Sequence, residues 1–273
     1  MSDRRYTRKE QAEMDTLNSW IAYSLRETME EEQVRNAILK KNIKSKNVVF
    51  YKTLYGNKDT FADDVRKLIK GMKKKNTYYL FTISNPYDPD TGETHFQSFI
   101  YYYDTNDTSD HPEGSRDIYG IDPSDGYYSD WAIRMVNTII KQEYDNAYMM
   151  DVKFTQACQR DDSDVFCQSW SLYLQILGMQ ELLSGNVNID FVIPEDTNEK
   201  YKILLDFYKN NMGIICRYLK ANFNQLVDTN MLKTEELVEP RQVAPTKRIL
   251  RKYKDSICDI IKNNWDINIF RQI

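Results

Sequence analysis

Three β-rich runs lie close together between residues 77 and 121, whereas the segments before and after them carry helical periodicity. The runs cover residues 78–83, 95–102 and 118–121, and they are rich in aromatic and β-branched side chains, which favour strands. Polar turn segments containing Pro and Gly separate them. The pattern therefore predicts an α+β fold in which a small sheet is flanked by helices.

The flanking segments place apolar residues every three or four positions, as amphipathic helices do. The predicted helices cover 8–41 (one or two helices), 60–72, 130–144 with Asp130 as the N-cap, about 165–183, and the chain from 196 onward. We also expect a strand over 149–154, an apolar patch at 48–51, and a linker over 238–245. This organisation divides the chain into an N-terminal helical extension (1–76), a core (77–195) and a C-terminal helical region (196–273).

Composition excludes several classes of protein. A hydrophobic content of 41% and an aromatic content of 13% exclude a disordered chain. The net charge of −4 argues against a dedicated nucleic-acid binder, and the basic residues of the C-terminal helix are better interpreted as a solvated face than as a nucleic-acid contact. No apolar run approaches the roughly 18 residues of a membrane span, and Met1 is followed by polar residues. We therefore expect a cytoplasmic protein without membrane contact.

The cysteines of the chain number four: Cys158, Cys167, Cys216 and Cys258. No two of them form a CxxC pair, and with two histidines in the chain a zinc site is not expected. In a long chain without export signals we expect all four to be free thiols.

Cys167 follows a polar turn that ends at Asp164 and opens the apolar helix predicted up to Leu183. Unpaired backbone N–H groups and the positive end of the helix dipole favour the thiolate form of a thiol in the first helical turn. Cys167 is thus a candidate nucleophile, although an isolated cysteine is more often a small buried hydrophobe.

A thiol nucleophile needs a general base and a group that orients the base. His95 begins a strand directly after a turn, whereas His111 lies in a polar loop and is expected to be exposed. Asp122 closes the next strand, and neighbouring strands would place it on the same rim as His95. The rival orienter, Asp104, ends the histidine's own strand, about 30 Å away in an extended chain.

His95 is expected at the start of a strand, Asp122 at the end of a strand and Cys167 at the start of a helix. This order of residues and elements resembles the SUMO/ubiquitin-like-specific cysteine proteases and their relative, the adenovirus endopeptidase. The resemblance covers residues 77–183, and the segment Cys167-Gln168-Ser169-Trp170-Ser171-Leu172 looks more like divergent thiol peptidases of large DNA viruses than like cellular ones. The segments that carry it are Thr94-His95-Phe96-Gln97-Ser98-Phe99-Ile100, Tyr119-Gly120-Ile121-Asp122-Pro123-Ser124, Phe154-Thr155-Gln156-Ala157-Cys158-Gln159 and Phe166-Cys167-Gln168-Ser169-Trp170.

The resemblance implies a papain-like, adenain-type protease core, a small mixed sheet packed by helices with the nucleophile at the start of a central helix. It implies that Gln159 supplies the oxyanion-hole side chain, with Gln156 as a weaker candidate, and that the amide of Cys167 adds a second donor. No metal or organic cofactor is implied. The expected substrates have Gly-Gly before the cleaved bond, in a ubiquitin-like modifier or a viral structural precursor, so a viral protein could act in the cytoplasm or the virion.

Two positions depart from the family pattern: Phe96 stands where the family has Trp, and Gln168 stands where it has Gly. These departures support an alternative, a catalytically inactive binding or virion protein with the protease fold. A second alternative is a helical scaffold in which Cys167 is a core residue.

Overall fold

The computed structural model describes residues 7–56, 60–84, 95–104, 114–126, 131–159, 166–228 and 243–264 together with Phe270. The chain is a mixed α+β protein, as the sequence predicts. It divides into two compact units, Arg35–Asp196 and the pair of segments Met1–Val34 and Thr197–Ile273.

A five-stranded sheet organises the unit Arg35–Asp196, and its strands lie in chain order. The β1–β2 and β4–β5 pairs are parallel, whereas the β2–β3 and β3–β4 pairs are antiparallel. Two further strands, β6 and β7, form a small parallel sheet of their own. The bounds are β1 Val48–Tyr55, β2 Thr77–Ser84, β3 Phe96–Asp104, β4 Ser115–Ile121, β5 Ala147–Met150, β6 Val152–Phe154 and β7 Ile189–Phe191.

Helices cover both faces of the five-stranded sheet. The first five helices are α1 Arg8–Glu30, α2 Glu32–Asn42, α3 Phe61–Gly71, α4 Trp131–Glu143 and α5 Cys167–Leu183. Buried residues of α3 and α4 join Phe81, Phe99 and Ile118 in one hydrophobic core. Because side chains alternate between the faces of a strand, the neighbouring residues Ile100 and Ile121 point the other way, toward α5.

The central helix α5 is buried on several sides and carries a polar stripe formed by Gln168, Ser171 and Gln175. The Gln175 side chain donates to the carbonyls of Phe81 and Phe99, each at 2.9 Å, and so joins α5 to β2 and β3. These bonds satisfy polar groups that burial would otherwise leave unpaired. These hydrogen bonds therefore fix the position of α5 on the sheet.

The second unit is helical. It contains α1, α6 (Thr197–Ala221), a short helical segment at 223–228, α7 (Val243–Tyr253) and α8 (Ile257–Asn264). Trp20 packs against Phe223 with ring centroids 5.4 Å apart, and the Lys252 ammonium donates to Glu13 at 2.7 Å.

The expectation of four free thiols is wrong for two of them, because Cys216 and Cys258 form a disulfide. These residues lie on α6 and α8, and their Cα atoms are 5.8 Å apart, within the range that a disulfide bridges. Their separation of 42 positions in the sequence gives no local signal of this proximity. Cys158 and Cys167 are buried and are not part of a disulfide.

Three segments differ from their sequence-based expectations. Val48–Tyr55 lies within the extension 1–76, yet it is an edge strand because it pairs with β2. The strand expected over 149–154 is two strands in different sheets. The helix α7 begins at Val243, inside the expected linker 238–245, since Pro245 is tolerated in a first helical turn. The proposed N-cap Asp130 is outside the described residues.

Within the described part of the chain, no helix is both long and apolar enough to cross a membrane.

Candidate active site

Antiparallel pairing brings His95 and Asp122 to the same edge of the sheet. His95 directly precedes β3 and Asp122 directly follows β4, and the two strands pair with Ser98 opposite Ile121. In antiparallel neighbours, the start of one strand and the end of the next meet, whereas parallel neighbours would have separated them. The His95 Nε2 and the Asp122 Oδ1 atoms are 2.6 Å apart, and both side chains are buried.

The carboxylate of Asp122 is held by a turn that folds back onto it. Oδ1 accepts from the Ser124 amide at 2.9 Å and from its hydroxyl at 2.8 Å, while Oδ2 accepts from the Gly126 amide at 3.1 Å. Asp125 and Gly126 adopt φ values of 50° and 80°, the left-handed conformation that Asp and Gly tolerate in such turns. The Gln97 side chain adds a fourth donor, with Nε2 at 2.9 Å from Oδ2. The carboxylate is therefore fixed before any substrate arrives.

Burial opposes the ionised form of Asp122, but the hydrogen bonds from His95 and Ser124 outweigh burial and lower the pKa of the carboxyl. Asp122 is therefore ionised at neutral pH and can hold a protonated imidazole.

Burial also opposes protonation of His95. The hydrogen bonds to Asp122 and to the Cys167 side chain outweigh it and raise the pKa of His95 to about 9. His95 thus contacts both Asp122, through Nε2, and the Cys167 side chain.

Cys167 is the first residue of α5 and is 5% exposed. The amides of Ser169 and Trp170 donate to the Phe166 carbonyl at 2.9 and 3.0 Å, which closes the first turn around the cysteine. The expectation that Cys167 lies in the first turn of an apolar helix is confirmed.

The segment before α5 is anchored to the Asp122 turn. The amides of Cys158 and Gln159 both donate to the Pro123 carbonyl, at 2.9 and 3.1 Å. Gln156 faces elsewhere, because its side-chain nitrogen donates to the Ile193 carbonyl at 2.9 Å. Of the two candidate glutamines, Gln159 is thus the one tied to the residues around His95.

The sequence offered two alternative candidates, Asp104 as the orienter and His111 as the base. Asp104 lies at the far end of β3, where it is paired with Ser115 of β4. His111 is outside the described residues.

Sequence reasoning missed three residues that support the site: Gln97, Ser124 and Arg35. Gln97 is two positions from His95 and Ser124 is two positions from Asp122, so the period of a strand and the geometry of a turn could have indicated both. Arg35 donates to the Gln168 carbonyl at 2.8 Å across 133 positions of sequence, and no local signal indicates such a contact.

No group of three or more His, Cys, Asp or Glu side chains among the described residues could hold a metal ion. Comparisons with known proteins return no match: no family model, no curated protein and no solved structure is significantly similar to the chain. The chemistry of the site therefore has to be argued from its geometry.

The raised pKa of His95 predicts an imidazole that stays protonated above neutral pH and loses its proton as the pH rises through about 9. NMR titration of the imidazole carbons measures this directly, with His111→Gln used to assign the two histidine signals. A His95 signal that titrates near 6.5, the ordinary value for histidine, would contradict the contacts described above.

Proposed function

We propose that the chain is a cysteine peptidase or isopeptidase of the type found in SUMO/ubiquitin-like-specific proteases and the adenovirus endopeptidase. One observation carries the proposal: a buried histidine contacts a fixed carboxylate through Nε2 and also hydrogen-bonds to a cysteine at the start of a buried helix. Nucleophile, base and orienter are the three parts that thiol catalysis requires. The position of the cysteine, on a helix packed against a mixed sheet, is consistent with an adenain-type core.

The proposed reaction uses the thiolate of Cys167 beside the protonated imidazole of His95, which Asp122 holds. The thiolate sulfur attacks the carbonyl carbon of the scissile bond, and the carbonyl oxygen becomes an oxyanion. When the tetrahedral intermediate collapses, the imidazolium gives its proton to the departing amine nitrogen. His95, now neutral, takes a proton from a water molecule whose oxygen attacks the thioester carbonyl, and the sulfur leaves as the Cys167 thiolate beside the imidazolium.

We assign two donors to the oxyanion. Cys167 is the first residue of α5, so its backbone N–H lies at the positive end of the helix dipole. The side-chain amide of Gln159 is the second proposed donor, placed by the backbone bond to Pro123. Donors fixed in a buried site stabilise developing negative charge more than water does.

The proposed substrates carry Gly-Gly before the cleaved bond. Cys167 is 5% exposed and His95 is 8% exposed, so the reacting carbonyl must reach them through a narrow approach. Glycine lacks a side chain and suits such an approach best. A ubiquitin-like modifier or a viral structural precursor would present this sequence.

Hydrolysis of a fluorogenic peptide ending in Gly-Gly tests the proposal. We expect turnover that is lost when the two glycines are replaced by two leucines. No turnover of Gly-Gly peptides, of ubiquitin-like conjugates or of precursor polypeptides would contradict the proposal and favour an inactive binding protein with the same fold.

Gln159→Ala is expected to lower kcat by about 10²-fold with little change in KM, because the bond to the oxyanion forms only as the intermediate develops. Gln156→Ala is the matched control. It removes the bond to the Ile193 carbonyl and should lower the thermal stability more than the turnover. Equal losses of turnover in both variants would overturn the assignment of Gln159.

A further inference from the structure

One row of side chains crosses the five-stranded sheet near the end opposite His95 and Asp122. Residues that pair across neighbouring strands point to the same face of a sheet. The pairing joins one residue of each strand, in the order Val48, Tyr78, Tyr102, Asp117 and Tyr148. The three central members, called the tyrosine row below, are half-buried, and Tyr148 beside them is 40% exposed. This part of the sheet is therefore partly open to solvent.

The members of the tyrosine row lie close to one another and to a further acidic group. The Tyr78 and Tyr102 rings stack, with centroids 4.2 Å apart and ring planes at 20°. Burial and the nearby charge of Asp104 raise the pKa of the Asp117 carboxyl. Burial and the neighbouring acidic groups raise the pKa of Tyr78 to about 12. Within the described part of the chain, every charge that shifts these two groups is negative, so the row is a region of negative potential.

On the other face of the sheet, the chain places an arginine in a similar setting. Arg116 precedes Asp117 in β4 and points to the opposite face. Its guanidinium carbon lies 4.1 Å from the Tyr103 ring centroid and 4.0 Å from the Tyr144 ring centroid, and Nη1 donates to Asn146 Oδ1 at 2.6 Å. A planar guanidinium can stack on an aromatic ring while its N–H groups donate to an oxygen. The tyrosine row offers the same two features, with a carboxylate as the acceptor.

We propose that the tyrosine row binds an arginine side chain of a protein partner, with the guanidinium stacked on the Tyr102 ring and its N–H groups donating to the Asp117 carboxylate. Tyr78 covers one face of the Tyr102 ring, and the sheet order puts Asp117 on the side of the other face. The negative potential favours a cation, and the flat rings favour guanidinium over ammonium. The proposal does not depend on the proposed peptidase function, because the row lies at the other end of β3 and β4.

An NMR titration of the isotope-labelled protein with a short peptide of glycine, serine and two arginines tests the proposal. The backbone amide signals of Tyr78, Tyr102 and Asp117 report binding at the row. The control peptide carries citrulline in place of arginine, because citrulline keeps the shape of arginine without the charge. We expect the arginine peptide to shift these signals and the citrulline peptide to bind at least about tenfold more weakly.

Asp117→Asn removes the charge from the row, and Asp190→Asn is the matched control. Asp190 is exposed on β7, in the other sheet, and its substitution changes the net charge by the same amount. We expect Asp117→Asn to weaken binding of the arginine peptide at least about tenfold and Asp190→Asn to change it by less than about twofold. Because burial and Asp104 oppose ionisation of Asp117, Asp117→Asn should leave the melting temperature unchanged or raise it.

Equal weakening in Asp117→Asn and Asp190→Asn would indicate attraction by net charge alone and would overturn the proposal. So would equal binding of the citrulline peptide, or the absence of shifts at the row when the arginine peptide is added. A lower melting temperature of Asp117→Asn would show a structural role for the carboxylate instead. A wild-type dimer in sedimentation that Asp117→Asn abolishes would make a second copy of the chain the occupant and overturn the assignment to a different partner.

Discussion

Cys167→Ala is expected to abolish hydrolysis of Gly-Gly substrates, with kcat reduced by about 10⁴-fold or more, because no other group can form the covalent intermediate. The substitution removes one sulfur atom at the start of α5, so the thermal stability should change little. Turnover of a Gly-Gly peptide and thermal unfolding of the same preparation measure both effects.

Cys158→Ala is the matched control for this variant. Cys158 is also buried and outside any disulfide, and it lies directly before Gln159. We expect Cys158→Ala to retain turnover within about threefold of the wild type, since its thiol has no part in the reaction. If Cys158→Ala lost activity and Cys167→Ala kept it, the assignment of the nucleophile would be wrong.

Asp122→Asn is expected to lower kcat by about 10³-fold. The carboxylate accepts from His95 and Ser124 at Oδ1 and from Gln97 and Gly126 at Oδ2. An asparagine must direct its NH₂ group at one of these donor pairs, so it cannot hold the imidazole in the same tautomer and orientation. Without the negative charge, the pKa of His95 should also fall from about 9 toward its ordinary value.

The loss in Asp122→Asn has to be separated from unfolding, because unsatisfied buried donors cost about 1–3 kcal/mol each. Turnover is therefore measured well below the melting temperature of the variant. Asp104→Asn is the matched control, since Asp104 was the rival orienter and lies at the other end of β3. Wild-type turnover in Asp122→Asn, or an equal loss in Asp104→Asn, would contradict the role given to Asp122.

The sequence predicted most of the elements that position the site. Its aromatic runs marked β2, β3 and β4, and the polar turn before Cys167 marked the start of α5, because these boundaries follow from local side-chain preferences. The strand over 149–154 was expected as one element because β5 and β6 are separated by Asp151 alone. A single-residue break between two sheets leaves the apolar pattern almost unchanged.

The pairing of His95 with Asp122 was predictable because the start and the end of a strand both lie at an edge of the sheet. The antiparallel direction of these two strands could not be predicted. The choice between Gln156 and Gln159 depends on the carbonyls of Ile193 and Pro123, which are distant in sequence. The contact of Arg35 and the disulfide between Cys216 and Cys258 are long-range in the same way. Such contacts depend on how the helices pack together. The spacing of apolar residues in the sequence does not specify this packing.

Activation of the Cys167 nucleophile by His95 can be measured with an electrophilic probe, a Gly-Gly peptide ending in a vinyl methyl ester, followed by proteolysis and mass spectrometry of the adduct. We predict a single adduct on Cys167 in the wild type, formed at least about 10²-fold more slowly in His95→Ala. An adduct on Cys158, or an equal rate of labelling in His95→Ala, would contradict this activation.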